Sequence, residues 1–316
     1  MTAVSWNAGA AGALAVLTGS TQALEQQQKA MSTGQKVATA SDNPAYWSIA
    51  QAMKSTGMTM STAADASELG AATADAASLG MGKATEIVQD IQSKLIMAKA
   101  SGADKSALNS EISSLKDQLG TVLKASGFAG QNWLSSGSTP PAKTSLVASV
   151  STGSKGETAV NTLDFDTSKT TLVSTGNAQD GILTKSYTGA TKSGSSYDYH
   201  LVDVGSASPA SGKEIAISSA TTNDDLDGMI SAVGDMLNNM WSGAAAIGSA
   251  SSRLQGTSDV MQKLQDSLAI STGKLVDANM EQVAANMAAV KVQSQLQTIG
   301  LSLFNKQSTN ALQLFA

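Results

Sequence analysis

Residues 108–122 read LNSEISSLKDQLGTV, with Leu108, Ile112, Leu115, Leu119 and Val122 alternately four and three positions apart. That alternation places every apolar side chain on one stripe of a helix, the seam by which helices wind together. Just upstream, Ala84, Ile87, Ile91, Leu95 and Ala98 carry the same period. Ser101-Gly102-Ala103-Asp104 lies between the two stretches, so the pattern predicts two seamed helices joined by a turn. Nearer the start, Leu17, Leu24 and Met31 recur every seven residues, with Thr21 and Gln28 at the intervening seam positions. A seam that polar makes a weak isolated helix.

Past Leu134 the pattern changes. Thr139-Pro140-Pro141 breaks any helix, since proline lacks the N–H a helix interior needs. Alternating, β-branched runs follow at Ser145–Val150, Ala159–Phe165, Thr170–Ser174, Tyr197–Val204 and Glu214–Ser218, separated by turn clusters such as Gly176-Asn177 and Gly194-Ser195. The helical period returns with Asn223 or Asp224 as the entry cap and Met229, Val233, Met236, Met240, Ala244 and Ile247 as the apolar face. It continues through Leu254, Met261, Leu268 and Leu275, and a last segment runs from Val276 towards Asn310. The fold class expected is therefore mainly α with a small inserted β-rich domain. Two helical arms, each with an apolar stripe to bury, pack as a long antiparallel bundle or coiled coil.

Composition supports extended helical contact. Of 316 residues 41% are apolar, but aromatics make up only 4% and charged residues 14%. Small side chains bury little area each, so stability must come from long repetitive interfaces. The net charge of −5, with Arg253 the single arginine, offers no basic face for nucleic acid. Cysteine is absent, which excludes disulfides, thiolate clusters and thiol nucleophiles. No stretch is apolar and long enough to span a bilayer, so no membrane insertion is expected. Met1–Gln35 lacks a basic start, with Lys29 its first positive side chain, so no cleaved secretory signal is read and these residues alone point to the cytoplasm.

Catalytic constellations fail one by one. A helical zinc peptidase site needs two histidines a turn apart, and His200 is alone. His200 reads as a surface or half-buried strand residue. Asp224-Asp225-Leu226-Asp227 lacks the glycine and distal glutamate of a calcium loop and suits a helix N-terminus, where acidic groups meet the helix dipole. Gly80-Met81-Gly82 and Gly127-Phe128-Ala129-Gly130 lack the lysine and spacing of a phosphate loop. The methionine-rich stretch Met53–Met60 reads as core or helix interface. No catalytic residue, cofactor or metal is expected, and the chain is read as a non-enzyme.

Two terminal strings resemble bacterial flagellins, most closely those of alphaproteobacteria. The first is Ser32-Thr33-Gly34-Gln35-Lys36-Val37 followed by Ala40-Ser41-Asp42-Asn43-Pro44-Ala45-Tyr46-Trp47-Ser48-Ile49-Ala50, where Ser41 or Asn43 caps a helix and Pro44 fits its first turn. The second comprises Asp277-Ala278-Asn279-Met280-Glu281, Asn286-Met287-Ala288, Gln293-Ser294-Gln295-Leu296 and the finish Asn310-Ala311-Leu312-Gln313-Leu314-Phe315-Ala316. Phe128-Ala129-Gly130-Gln131-Asn132-Trp133-Leu134 is similar to the flagellin turn into the outer domain. The resemblance covers roughly residues 1–134 and 222–316 and leaves the middle unmatched.

The resemblance implies a structural subunit that polymerises into a helical filament for swimming, secreted unfolded through a flagellar type III apparatus without a cleaved signal. It implies a flagellar export chaperone, a filament cap and hook-junction proteins as partners. The segments expected are 1–43 as inner-core helix and connector, 44–134 as helical shell, 135–220 as outer β-rich domain, 221–275 as returning shell, and 276–316 as inner-core helix. On that last helix Val292, Leu296, Ile299 and Leu303 are the expected assembly stripe. Asn279, Asn286, Gln293 and Gln307 share another face by their sevenfold spacing and are a candidate channel face. Two alternatives stay open: a hook–filament junction protein, and a flagellin-like adhesin binding polysaccharide on Tyr187, Tyr197, Tyr199 and His200.

Overall fold

The computed structural model describes residues 8–137, 143–152 and 158–313. Among the described residues five α-helices and seven strands succeed one another, with single 3-10 turns at Thr167–Lys169 and Ala178–Asp180: α1 (Ala8–Thr33), α2 (Pro44–Met97), α3 (Lys105–Ala125), β1 (Ser135–Ser136), β2 (Lys143–Thr152), β3 (Thr158–Asp166), β4 (Val173–Ser174), β5 (Tyr187–Ala190), β6 (Ser196–His200), β7 (Lys213–Glu214), α4 (Asn223–Val276) and α5 (Met280–Gln313). They form two compact units, residues 59–264 and residues 1–58 with 265–316. Thr139-Pro140-Pro141 and the final Leu314-Phe315-Ala316 lie outside the described residues.

In the 59–264 unit the long helices run antiparallel. Glu68 meets Gln262, Asp75 meets Ser251 and Lys99 meets Asp227, so positions rise along α2 as they fall along α4. α3 folds back on α2, joined to it by the Lys94–Glu111 ion pair. The turn between them is as the sequence predicts. Gly102 takes a positive φ of 80°, and the Asp104 carboxylate accepts from the Ser106 and Ala107 N–H groups at 3.0 Å, capping α3. The expected seams hold over most of their length: Ala84, Ile91 and Leu95 of α2, Ala98 just past its end, and Leu108, Ile112 and Leu119 of α3 are buried in one cluster with Ile87 and Leu115 packed against it. At the last position Leu123, not the expected Val122, is the buried residue. α4 starts through a reciprocal cap. The Thr222 hydroxyl accepts from Asp225 N–H, and the Asp225 carboxylate accepts from Thr222 N–H. The cap is thus Thr222, one residue before the expected Asn223, because Asp225 sits at the third helical position where it can reach back.

The strands form three small sheets: the β2–β3 hairpin, the parallel pair β1–β4, and β5–β6–β7. The hairpin matches its predicted runs closely. Of the predicted run Thr170–Ser174 only Val173 and Ser174 become strand, and of Glu214–Ser218 only Glu214; the rest is irregular backbone tied by hydrogen bonds such as Leu183 N–H to Leu172 O. These strands build no core of their own. Leu172, Leu183, Leu201 and Ile215 belong to the same cluster as Met81, Ile91 and Met236. Tyr187, Tyr199 and His200 are buried there too, so His200 lies deeper than the surface or half-buried position read for it. Tyr197 and Tyr199 stack on one strand face and lean on α4 at Gly228. Tyr187 and Tyr199 are buried and Tyr197 is half-buried.

Candidate functional site

In the other unit, α1 and α5 lie side by side as an antiparallel pair. Their adjoining ends are tied by Ala278 N–H donating to Gly34 O at 2.9 Å and by an antiparallel bridge between Gln35 and Asp277. The Val276 carbonyl accepts from both Lys36 N–H (2.8 Å) and Val37 N–H (3.2 Å). Gly34, with φ of 69°, lets α1 end in this reversal, a conformation that costs other residues a clash at Cβ. Val37, Ala50 and Val276 form a small core beside it, flanked by Trp47 and Leu275.

Asp42 organises the connector between α1 and α2. Its carboxylate accepts from the N–H groups of Thr39 and Ala38, the Thr39 hydroxyl and the Lys29 ammonium. The Thr39 N–H contributes most, then Lys29, and together they hold the Asp42 carboxyl at about 2, below the ordinary 3.8. Asn43 then caps α2 by accepting from Tyr46 N–H at 3.1 Å, with Pro44 in the first turn as expected.

The α1 seam departs from the sequence reading by one step. Leu17 and Leu24 do face inward, but the seam positions that follow them are Ser20 and Gln27; Thr21, Gln28 and Met31 are exposed. Both choices obey the alternation of three and four, so only the partner helix decides between them. On α5 the inward positions are Val283, Met287, Val290, Ser294, Gln297 and Leu301. Gln297 Oε1 is buried there without a hydrogen-bond partner.

Val292, Leu296, Ile299 and Leu303 point away from that seam, with 55%, 63%, 58% and 64% of their surface exposed. They repeat at four, three and four residues and lie two positions on from the inner seam, about 200° around the helix. α5 thus carries a second heptad stripe that α1 does not cover. Leu14 and Val16 of α1 are also exposed, as are Tyr46 and Ile49 of α2; the sequence marked the last two only as part of the string that resembles flagellins and the first two not at all. Leu14 and Val16 fall off the Leu17–Leu24 line, a signal visible in the sequence once the inner seam is fixed. Met53, Met58, Leu268, Ala269 and Val276 line a groove of about 550 Å³ in the same unit.

Of the candidate channel face, Asn286 and Gln293 are exposed. Asn279 precedes the helix, and its side chain accepts from the Glu281 and Gln282 N–H groups at 3.1 and 3.2 Å, so it is the cap of α5. The Gln307 side chain lies outside the described residues. Among the described residues no group of three His, Cys, Asp or Glu could hold a metal ion, and no helix is long and apolar enough to cross a membrane.

The two ends match two family models: the bacterial flagellin N-terminal helical region over residues 4–139 and the bacterial flagellin C-terminal helical region over residues 230–315. Flagellin C of Rhizobium meliloti (strain 1021) is 36% identical over 320 aligned residues, covering 100% of this chain and 99% of the relative. The chain belongs to the bacterial flagellin family. Flagellin A of the same strain is 31% identical, covering 100% of both chains. The flagellin of Brucella melitensis biotype 1 is 32% identical over 326 residues, covering 100% of this chain and 99% of the relative. These are alphaproteobacterial flagellins, as the terminal strings implied. This flagellin is accordingly a structural subunit of the flagellar filament, an organelle of motility outside the cell. The two family models leave residues 140–229, which hold nearly all the strands, unmatched.

Proposed function

We propose that this flagellin polymerises by burying the outer stripe of α5, Val292, Leu296, Ile299 and Leu303, against the terminal helices of neighbouring copies. The observation that carries the reading is the second heptad stripe, left uncovered on a helix whose other side is already paired with α1. Fully burying one such side chain contributes about 1.5–3 kcal/mol, so four half-exposed ones supply enough for a repetitive contact. Residues 1–43 and 276–316 would then form the inner core of the filament, 44–134 and 221–275 a surrounding shell, and 135–220 its outward part. Asn286, Gln293 and Gln307 would line the inner path, neutral amides that neither hold an apolar chain nor trap a charged one.

Its role is structural and not enzymatic. The chain leaves the cell unfolded through the flagellar export apparatus, held by an export chaperone, and is placed beneath a filament cap on top of hook-junction proteins. The test is a set of single substitutions in the stripe. Leu296→Ala should raise the monomer concentration needed for polymerisation by roughly tenfold, the equivalent of about 1.4 kcal/mol, while circular dichroism of the 59–264 helices stays unchanged. Filaments forming at the wild-type concentration from a Leu296→Ala, Leu303→Ala double variant would remove the stripe from the interface.

A further inference from the structure

Strand β7 has two residues, yet the backbone around it is held from several sides. Ile215 N–H donates to His200 O and Ile217 N–H to Asn109 Oδ1 of α3, both at 2.8 Å. Lys116 Nζ, also on α3, donates to the Ile215 carbonyl at 2.6 Å and to Glu214 Oε1 at 2.7 Å. Ile215 and Ile217 are buried beneath these bonds.

The chain's one histidine sits inside this arrangement. His200 of β6 pairs in register with Glu214 of β7, is 6% exposed, and its Nδ1 is buried with no hydrogen-bond partner. A neutral imidazole tolerates this, because one ring nitrogen is a bare acceptor. An imidazolium has two N–H donors, and one of them would be left dry. The charged groups facing it come from three directions: Glu214 on β7, Asp198 and Asp203 on β6 and just after it, and Lys116 on α3. The carboxylates favour a proton on His200, but Glu214 is already engaged by Lys116, whose side chain is 12% exposed. Burial, aided by Lys116, prevails and pushes His200 below its ordinary 6.5.

We propose that residues 213–217 form an acid-released latch, closed on β6 and α3 while His200 is neutral and opened when His200 takes up a proton. Opening lets water reach the imidazolium, which keeps Asp198 and Asp203 on its own segment beside it. It uncovers Ile215 and Ile217 and frees the chain that leads into α4. The direction follows from linkage. The open form binds the proton with the ordinary value and the closed form only at lower pH, so closure is fully favoured above about pH 6.5 and weakens as pH falls below it. Neither α1 nor α5 contains a histidine, so the effect belongs to the 59–264 unit.

A single histidine makes the test direct. In the full-length monomer, the His200 ring proton signal is followed by NMR from about pH 8 to about pH 4.5, across the histidine range. Hydrogen-exchange protection of the Ile215 and Ile217 amides, corrected for intrinsic rates, is measured in parallel. Protection of both should drop at least tenfold below about pH 6 in step with His200, while that of Leu95 in α2 stays level. His200→Gln should abolish the step. If that variant does not fold, the wild-type measurement decides alone. Undiminished Ile215 protection down to the lowest pH overturns the proposal, as does a step that persists in His200→Gln.

Discussion

A Cβ at Gly228 would come within 2.9 Å of Tyr197 Cβ and 3.2 Å of Tyr199 Cε2, so α4 is bare at the place where the strand aromatics rest on it. Gly228→Ala should destabilise the 59–264 unit by about 1–3 kcal/mol, the usual cost of overpacking, seen as a lower urea midpoint with an unchanged slope. Asp42 makes a different kind of prediction. Its folded value of about 2 is depressed from 3.8, so the stability it lends the α1–α2 connector is present above about pH 4 and is lost as pH falls towards 2. Exchange protection of the Ala38 and Thr39 amides, both donors to Asp42, should follow that loss. In Asp42→Asn it should be weaker throughout and show no such pH step, because the uncharged amide cannot pair with Lys29.

Among the elements, α5 carries the most information. One side meets α1 through a seam that includes Ser294 and Gln297, and the other is an uncovered apolar stripe. The buried, unpartnered Gln297 Oε1 costs roughly 1–3 kcal/mol. Gln297→Leu should therefore tighten the α1–α5 pair and raise the far-UV helical signal of the monomer. An unchanged signal would mean that the amide finds a partner in solution. α3 and the second half of α2 were legible from spacing, because their seams are apolar, and local signals at Asn43, Pro44, Gly102 and Asp104 mark the ends; the first half of α2, which buries Ser67 and Thr73, showed no such seam. The α1 seam was legible only to within one step, since Leu17 and Leu24 fit both Ser20 with Gln27 and Thr21 with Gln28.

At the scale of the whole molecule, the strand-bearing region looks separable in sequence, bounded by turns near Leu134 and Thr221. The shared core implies that it is energetically part of the helices around it. Replacing residues 138–219 with a short Gly/Ser linker removes Leu172, Leu183, Leu201 and Ile215 from one cluster. Losing a buried leucine costs about 2–5 kcal/mol, and four such losses match the ~5–15 kcal/mol that holds a typical domain folded. Thermal scanning of that deletion should show the cooperative transition of the 59–264 unit abolished, whereas Gly34→Ala, in the other unit, should leave it in place.

The sequence by itself determined the helical arms, the turns and caps between them, the absence of thiol and paired-histidine chemistry, and, through its two terminal strings, the flagellin family. Each of these is carried by residues near one another in the chain, where period and capping chemistry act. Tertiary structure decided which heptad step of α1 faces its partner, that Asn279 caps α5 rather than lying within it, and that the strands have no core of their own. It also decided that His200 sits buried against Lys116 and Glu214, partners that lie 84 and 14 residues away along the chain. Burial and register belong to pairs of distant segments, and the free energy that selects one pairing appears only once both are in contact.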